Sequence, residues 1–290
     1  MSFWKILRIL VTDYCNYRCI YCHNEGQEHK SSSYMHKEDC FKFFDAVRET
    51  PIREVRFSGG EPLLNPGVID MIEYVNMHSD MEIGLATNGS MMTKEIAERL
   101  AHTRTMVTLH FPAYDAEAYH YITKADFSAF LNCTKLLTEY HIPFSYNYVL
   151  YPETMQNFDK VLHSPILKAR KIKLLPYIEE GFHNFSSEIA EHIVQELDHI
   201  ALSRSELKTE EIITWQLENQ IKVKMVHSPC YSANMESCRS YGEVRLLPNL
   251  ELQKCIFDKQ HYYIDINNKN NIREILKKMW DEFTYCYKLR

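Results

Sequence analysis

"KILRILVTDYCNYRCIYC" (residues 5–22) joins two unlike halves. Lys5 to Thr12 is a short run rich in isoleucine and leucine, the length and composition of a buried strand. The half that follows carries Cys15, Cys19 and Cys22, spaced x3 and x2 within eight residues. Structural metal sites usually take four protein ligands, and this run supplies three. Three chemistries are open. A zinc site could be completed by His23 or His29, and a ferredoxin-type cluster by a further cysteine. In a cubane one ligand short, the fourth iron is left open to a small molecule, as a catalytic zinc site keeps a place for water.

Outward from this strand, apolar runs of strand length alternate with segments of helical period. Residues 36–49 place Phe41, Phe44 and Val47 three apart, an amphipathic helix stopped by Pro51. Residues 53–60 read as a strand ending in glycines, 66–78 as a helix entered through Asn65-Pro66, and 81–89 as a strand and turn. A helix over 93–102 has Thr93 as its N-cap. Strands follow at 105–111, 142–152 and 170–177, separated by one or two helices over 115–140 and a helix around 154–169. Six β/α units mean parallel strands with helical crossovers. The cysteines, Gly59-Gly60 and Thr87-Asn88-Gly89 follow the first three strands, at the face where barrel-like α/β folds keep their sites. The expected fold is therefore α/β, a partial (β/α)6 TIM-like barrel or a doubly wound sheet on alternation alone. Residues 186–220 read as two helices, 242–257 as a hairpin turning at Pro248-Asn249, and 271–287 as a closing amphipathic helix. The expected division is a core over 1–180, a helical connector over 181–227 and a small α+β extension over 228–290 that carries a cysteine-bearing hairpin.

Composition sets outer bounds. The chain has 290 residues, 45% hydrophobic and 25% charged, with a formal net charge of -6. That balance points away from nucleic acid and anionic membrane surfaces. The apolar runs are too short for a membrane span, and the N-terminus turns polar too soon for a signal peptide. The expected location is the cytoplasm. Nine cysteines in a chain of this kind suggest metal binding or catalysis rather than disulfides. Cys40 and Cys133 lie on helical segments and read as buried apolar thiols.

The Cys15-x3-Cys19-x2-Cys22 loop after a first strand resembles the signature of the radical S-adenosylmethionine (SAM) superfamily. Ser58-Gly59-Gly60-Glu61-Pro62 after the second strand resembles that family's "GGEP" motif, and Thr87-Asn88-Gly89 its third motif position. Taken alone, Gly-Gly and Asn-Gly would read as turns; all three in order after successive strands are not a chance pattern. The resemblance implies a [4Fe-4S] cluster on Cys15, Cys19 and Cys22, with SAM on the open iron. It also implies a cradle for SAM from Tyr21, Gly59, Gly60, Glu61, Pro62, Thr87, Asn88 and Thr108, and a one-electron donor of the flavodoxin or ferredoxin type. The implied chemistry is reductive cleavage of SAM to a 5′-deoxyadenosyl radical, which abstracts hydrogen from a small-molecule, nucleotide or peptide substrate.

"TDYCNYRCIYCHNEG", "VTLHFPAYDAEAYHYIT" and "VRLLPNLELQKCIF" are further similar to the GTP 3′,8-cyclase branch, the last also to twitch and SPASM extensions. This implies an auxiliary iron–sulfur cluster on Cys230, Cys238 and Cys255, with Cys286 as a candidate fourth ligand; the alternatives are core thiols, or a thiol hydrogen donor among these four. Their x7 and x16 spacing departs from the cyclases, and the chain ends in "FTYCYKLR" without the cyclases' glycine-rich tail. The expected reaction is thus oxidation, epimerisation, cyclisation or crosslinking in specialised metabolite or peptide natural-product synthesis. The alternatives are GTP cyclisation for molybdenum-cofactor synthesis and, as another class, a non-enzymatic electron carrier. Arg239 and Arg245 are candidates for nucleotide contacts. His110 reads as a strand-end histidine rather than a cavity residue, and Lys171 and Lys173 as solvated charges. "FHNF" (182–185) could line a lid or cover the barrel.

Overall fold

In the computed structural model, which describes residues 3–23, 33–167, 170–177, 185–208, 212–218, 220–226 and 234–287, side-chain alternation along the strands sets the architecture. Strands β1 (Ile6–Leu10), β2 (Glu54–Ser58), β3 (Glu82–Thr87), β4 (Thr105–His110), β5 (Phe144–Leu150) and β6 (Lys171–Pro176) pair in this order, all parallel. Leu7, Val55, Leu85, Val107, Tyr146 and Leu174 are fully buried on one face. Their neighbours in sequence, Arg8, Arg56, Thr108, Asn147 and Lys173, line a cavity on the other. Period-two alternation thus puts the apolar face under the helices and the polar face around a lumen. The result is a partial TIM-like barrel.

The crossovers are α1 (Lys37–Val47), α2 (Val68–His78), α3 (Lys94–Ala101), and the pair α4 (Ala116–Thr123) and α5 (Phe127–Glu139). Lys124, at φ +59°, breaks the pair apart. Thr93 caps α3 by accepting from Ile96 N, as its sequence leads one to expect. The helix expected around 154–169 is instead α6 (Pro152–Met155), α7 (Phe158–Leu162) and a 3-10 turn at Pro165–Leu167; residues 168–169 lie outside the described residues. Thr154 closes the first turn by donating to Val149 O and accepting from Tyr151 N, and proline at 165 cannot extend the second.

The larger correction concerns 208–220. α8 (Phe185–Ile200) matches the first expected helix, but the second is replaced by antiparallel strands β7 (Ser203–Leu207) and β8 (Ile212–Gln216), followed by β9 (Lys222–Val226). Ile212, Ile213 and Thr214 are β-branched, which costs helix and favours strand. Trp215 is fully buried and its indole N–H donates to Asp198 on α8 at 2.6 Å. Tertiary pairing decides the matter, since β9 joins the barrel by running parallel to β6.

At the opposite edge, α9 (Met235–Tyr241) leads into β10 (Glu243–Leu246), which pairs with β1 in parallel, Arg8 beside Arg245. β10 and β11 (Glu251–Gln253) form the expected hairpin, and β12 (Tyr262–Tyr263) follows. The left-handed residue of the turn is Leu250, at φ +66°. The closing helix α10 (Lys269–Glu282) lies beside α1. Trp4, just before β1, meets Trp280 edge-on at 5.0 Å and donates to Leu276 O. No helix among the described residues is long and apolar enough to cross a membrane.

Candidate active site

The three loops singled out by sequence meet at the carboxyl ends of β1, β2 and β3, around one cavity of about 880 Å³. That volume suits a cofactor and a small substrate group together. Cys15, Cys19 and Cys22 all line it. Their loop is pinned from behind, with Arg18 N donating to Thr123 O and Ile20 N to Ile122 O at the end of α4. Burial pushes the Cys15 thiol up to about 11 and Cys19 to about 12. Binding to cationic iron would draw those protons off. His29, one of the two histidines that could complete a zinc site, lies outside the described residues. A cubane asks for cysteines spread over several irons, and the loop presents its three toward the cavity.

Gly59 and Gly60 are glycine for a reason the sequence did not reveal. A Cβ on Gly59 would lie 2.3 Å from Thr12 O, and one on Gly60 2.1 Å from Tyr14 O. The close approach is to the cysteine loop itself, where Gly60 N donates to Thr12 O and Glu61 N to Tyr14 O, both at 2.9 Å. Gly59 also sits at φ +141°, which side chains resist. The "GGEP" turn is therefore the buttress of the loop that carries the cysteines.

Glu61 ties the third loop to the second. Fully buried, its carboxylate accepts from Thr87 Oγ1 at 2.5 Å, Leu63 N at 3.0 Å and Asn88 N at 2.7 Å. Thr87 Oγ1 in turn accepts from Gly89 N, and Asn88 Nδ2 donates to Asn16 and approaches Cys15 Sγ. Gly89, at φ +79°, leaves no room for a Cβ beside Cys133. Cys133 and Cys40 are both buried thiols, as expected.

Comparison with known proteins decides the family. Residues 9–164 match the model of the radical SAM superfamily. The chain belongs to the radical SAM superfamily. It is 25% identical over 262 residues, 87% of this chain and 85% of the other, to a probable GTP 3′,8-cyclase of Methanocaldococcus jannaschii. A probable GTP 3′,8-cyclase of Archaeoglobus fulgidus is 35% identical over 117 residues, 40% of this chain and 38% of that one. Among solved structures, Streptococcus suis SuiB bound to the precursor peptide SuiA shares the fold (TM-score 0.73, 13% identity). The match covers 97% of this chain and 66% of that one. Native anSMEcpe with bound AdoMet gives a TM-score of 0.64 at 16% identity, over 98% and 81%. The protein is thus a radical SAM enzyme, and the family implies a [4Fe-4S] cluster and SAM.

Within this radical SAM barrel, Tyr21 is buried, and its hydroxyl is 2.7 Å from His110 Nε2, which lies 4.0 Å from Cys19 Sγ. His110 therefore faces the cavity, contrary to the sequence expectation. The reason is register: Val107 and Leu109 turn outward, so Thr108 and His110 turn inward. Burial holds the His110 imidazole down at about 4. Thr108, Asn88 and Thr87 also line the cavity, whereas Pro62 is buried at the start of a 3-10 turn. Arg245 lines the cavity and is 2% exposed. Arg239 does not reach it; its guanidinium donates to Trp280 O and Phe283 O and stacks on Trp280. Lys171 is exposed, while Lys173 reaches the lumen.

Cys238 on α9 and Cys255 after β11 line the same cavity, both half-buried. Cys286 is half-buried as well. Cys230 and residues 182–184 of the "FHNF" stretch lie outside the described residues. Lys254, the neighbour of Cys255, has a side chain 2% exposed, with the ammonium 3.6 Å from both Asp258 and Glu282.

Two buried groups give opposite pH signatures. Burial pushes Glu61 up to about 7 against its three donors. A raised carboxyl stabilises the fold fully below its unfolded value and loses that as pH climbs to about 7, by about 3 kcal/mol. His110, held down, does the reverse: its neutral form disfavours the fold at low pH, and stability returns as pH rises through its unfolded range. In the SAM-free protein the two oppose each other between about 4.5 and 6.5. His110→Gln is expected to unmask Glu61, so urea unfolding should show stability falling steadily from pH 5 to 7. A flat profile in that variant would remove the assignment.

Proposed function

We propose that the protein cleaves SAM reductively and uses the resulting 5′-deoxyadenosyl radical to abstract hydrogen from a substrate held in the lumen. The observation that supports this is the convergence of Cys15, Cys19 and Cys22, the Gly59–Glu61 turn and the Thr87–Gly89 turn on one cavity. Cys15, Cys19 and Cys22 would hold the cluster, which once reduced would supply the one electron that cleaves SAM to methionine and the radical. In this reading Tyr21, fixed by His110, flanks the cofactor, and Thr108 and Asn88 supply polar contacts. Gly59, Gly60, Pro62 and Thr87 shape the turns, and Glu61 faces the amino end of SAM. The barrel wall excludes water and stray hydrogen donors. A flavodoxin- or ferredoxin-type donor would supply the electron in the cell.

The test is anaerobic reconstitution with iron and sulfide, then SAM and dithionite, with 5′-deoxyadenosine as the readout. Formation is expected, and its complete loss in the Cys15/Cys19/Cys22 triple alanine variant. An intact cluster that yields none would sink the reading.

We further propose an auxiliary cluster on Cys255, Cys238 and Cys230, with Cys286 as the candidate fourth ligand, in a twitch/SPASM-like C-terminal region. Cys238 and Cys255 support it by sharing the cavity with the first cluster's ligands. The triple variant is expected to retain about four irons per chain; retention of none would eliminate the second cubane. GTP cyclisation is the second reading, favoured by the full-length similarity to the Methanocaldococcus protein. GTP consumption coupled to 5′-deoxyadenosine formation would select it over oxidation, epimerisation, cyclisation or crosslinking of another metabolite or a peptide.

A further inference from the structure

The sheet ends differently at its two sides. At one end β12 is two residues long and presents almost no edge. At the other, β7 is the last of the sheet's twelve strands and pairs only with β8 among the described residues. A strand edge of this kind offers a row of backbone N–H and C=O groups to any strand that can align with it. Edges are commonly blunted by proline, by repelling charge or by a covering element. β7 has no proline, and its two charged residues, Arg204 and Glu206, are of opposite sign. α8 reaches one face of the β7–β8 hairpin, where Asp198 bonds Trp215 and lies 3.1 Å from Arg204. It still leaves Leu202 to Lys208 exposed without a break, Leu202 at 65% and Leu207 at 48%.

The strand that fits this edge is a second copy of itself. Two identical strands joined antiparallel are related by a two-fold axis perpendicular to the sheet. That axis keeps every side chain on its own face, and residues directly opposite in an antiparallel pair share a face. Only registers centred on a residue meet both conditions. Centred on Ser205, Arg204 stands opposite Glu206 of the second copy, and Glu206 opposite its Arg204. Within one strand Arg204 and Glu206 already lie 3.1 Å apart, so pairing closes a ring of four alternating charges. Leu207 then faces Ser203, and Leu202 faces the aliphatic stem of Lys208. A centre on Arg204 sets two arginines face to face. A centre on Glu206 sets two glutamates face to face and Arg204 against Lys208. A centre at either end of β7 leaves most of the strand with no strand opposite. Opposite charges support a cross-strand pair and like charges oppose it. The sequence of β7 thus accepts one register and rejects its neighbours.

We propose that the protein forms a two-fold dimer by antiparallel pairing of β7 with β7 of a second copy, centred on Ser205. The pairing joins two twelve-stranded sheets into one. A five-residue strand makes a small interface, of the class that forms and separates in exchange with the single chain. No residue of β7 lines the cavity, so the dimer stands or falls independently of the radical chemistry.

The experiment uses the full chain. Sedimentation velocity at rising concentration is expected to show the single chain passing into a dimer. Hydrogen exchange, compared at high and low concentration, should slow at the amides of 203–207 in the dimer. Arg204→Glu makes both charged rungs acidic, and Glu206→Arg makes both basic. Each is expected to weaken association at least about tenfold. Mixing the two variants restores opposite charges at both rungs, so the mixture should dimerise about as tightly as the parent while neither component does alone. That rescue requires both variants to be folded, and it separates lost pairing from lost structure. A chain that stays single up to millimolar concentration overturns the proposal. So does a dimer indifferent to both charge reversals, or a mixture that associates no better than its components. Slowing of the same amides by an added peptide, on a chain that stays single, would assign the edge to a peptide instead.

Discussion

Gly60→Ala is expected to strip the protein of its first cluster. The added methyl group would lie 2.1 Å from Tyr14 O and 2.8 Å from Cys15 N, both backbone atoms. No rotamer relieves such a contact, so the chain carrying Cys15 has to move. The bond from Glu61 N to Tyr14 O, which fixes that chain, has to stretch with it. Overpacking of this kind costs about 1–3 kcal/mol or more, and the strain falls on a ligand. The measurement is iron per chain after reconstitution, beside 5′-deoxyadenosine yield. Iron should drop by about one cubane, roughly four atoms, and product to background. Gly84→Ala is the control, since its Cβ would come no nearer than 3.4 Å to the Arg56 side chain and 3.9 Å to backbone, ordinary contact distances. Full iron and full turnover in Gly60→Ala would show that the buttress is unimportant.

Glu61→Gln is expected to be the next most damaging change, although it alters a single atom. Every lone pair direction used by the carboxylate meets a donor: a hydroxyl and two backbone N–H groups. An amide must turn its NH2 toward one of them, leaving two donors face to face without water. Such an unsatisfied buried group costs about 1–3 kcal/mol, more where a charge was involved. Above pH about 7, where Glu61 is ionised, the loss should appear as a lower urea midpoint and as weaker SAM binding, because the Thr87–Gly89 turn is released from the Gly59–Glu61 turn. Thr87→Val removes one donor and leaves the other two, so it should cost less. Wild-type stability and SAM affinity in Glu61→Gln would refute the brace.

The cysteine loop and the two glycine turns could be read from sequence because each is a local backbone device with its own residue signature. Six parallel strands were legible for the same reason, as apolar runs separated by caps and turns. His110 and Lys173 were misjudged, yet the signal was there. Val107 and Leu109, like Ile172 and Leu174, are the apolar partners in a period-two pattern, and they are all buried outward. Once the apolar face of a strand is assigned to the helices, its polar residues belong to the lumen. β8 was not legible in this way. Its strand character comes from pairing with β9 and from Trp215 packing on α8, contacts distant in sequence that outweigh local helix preference.

The pairing of β1 with β10 also dictates an order of assembly. Arg8 and its carboxylate Glu243 are 235 residues apart. At a synthesis rate of about 5–20 residues per second, tens of seconds separate them on the ribosome. β1, β2 and β3, with all three loops that frame the cysteines, exist early. The wall that matches Arg8 arrives late, and until it does the open edge of β1 is a template for wrong pairings. The nascent chain therefore has the end that carries its three cysteines made well before the wall of its cavity is complete.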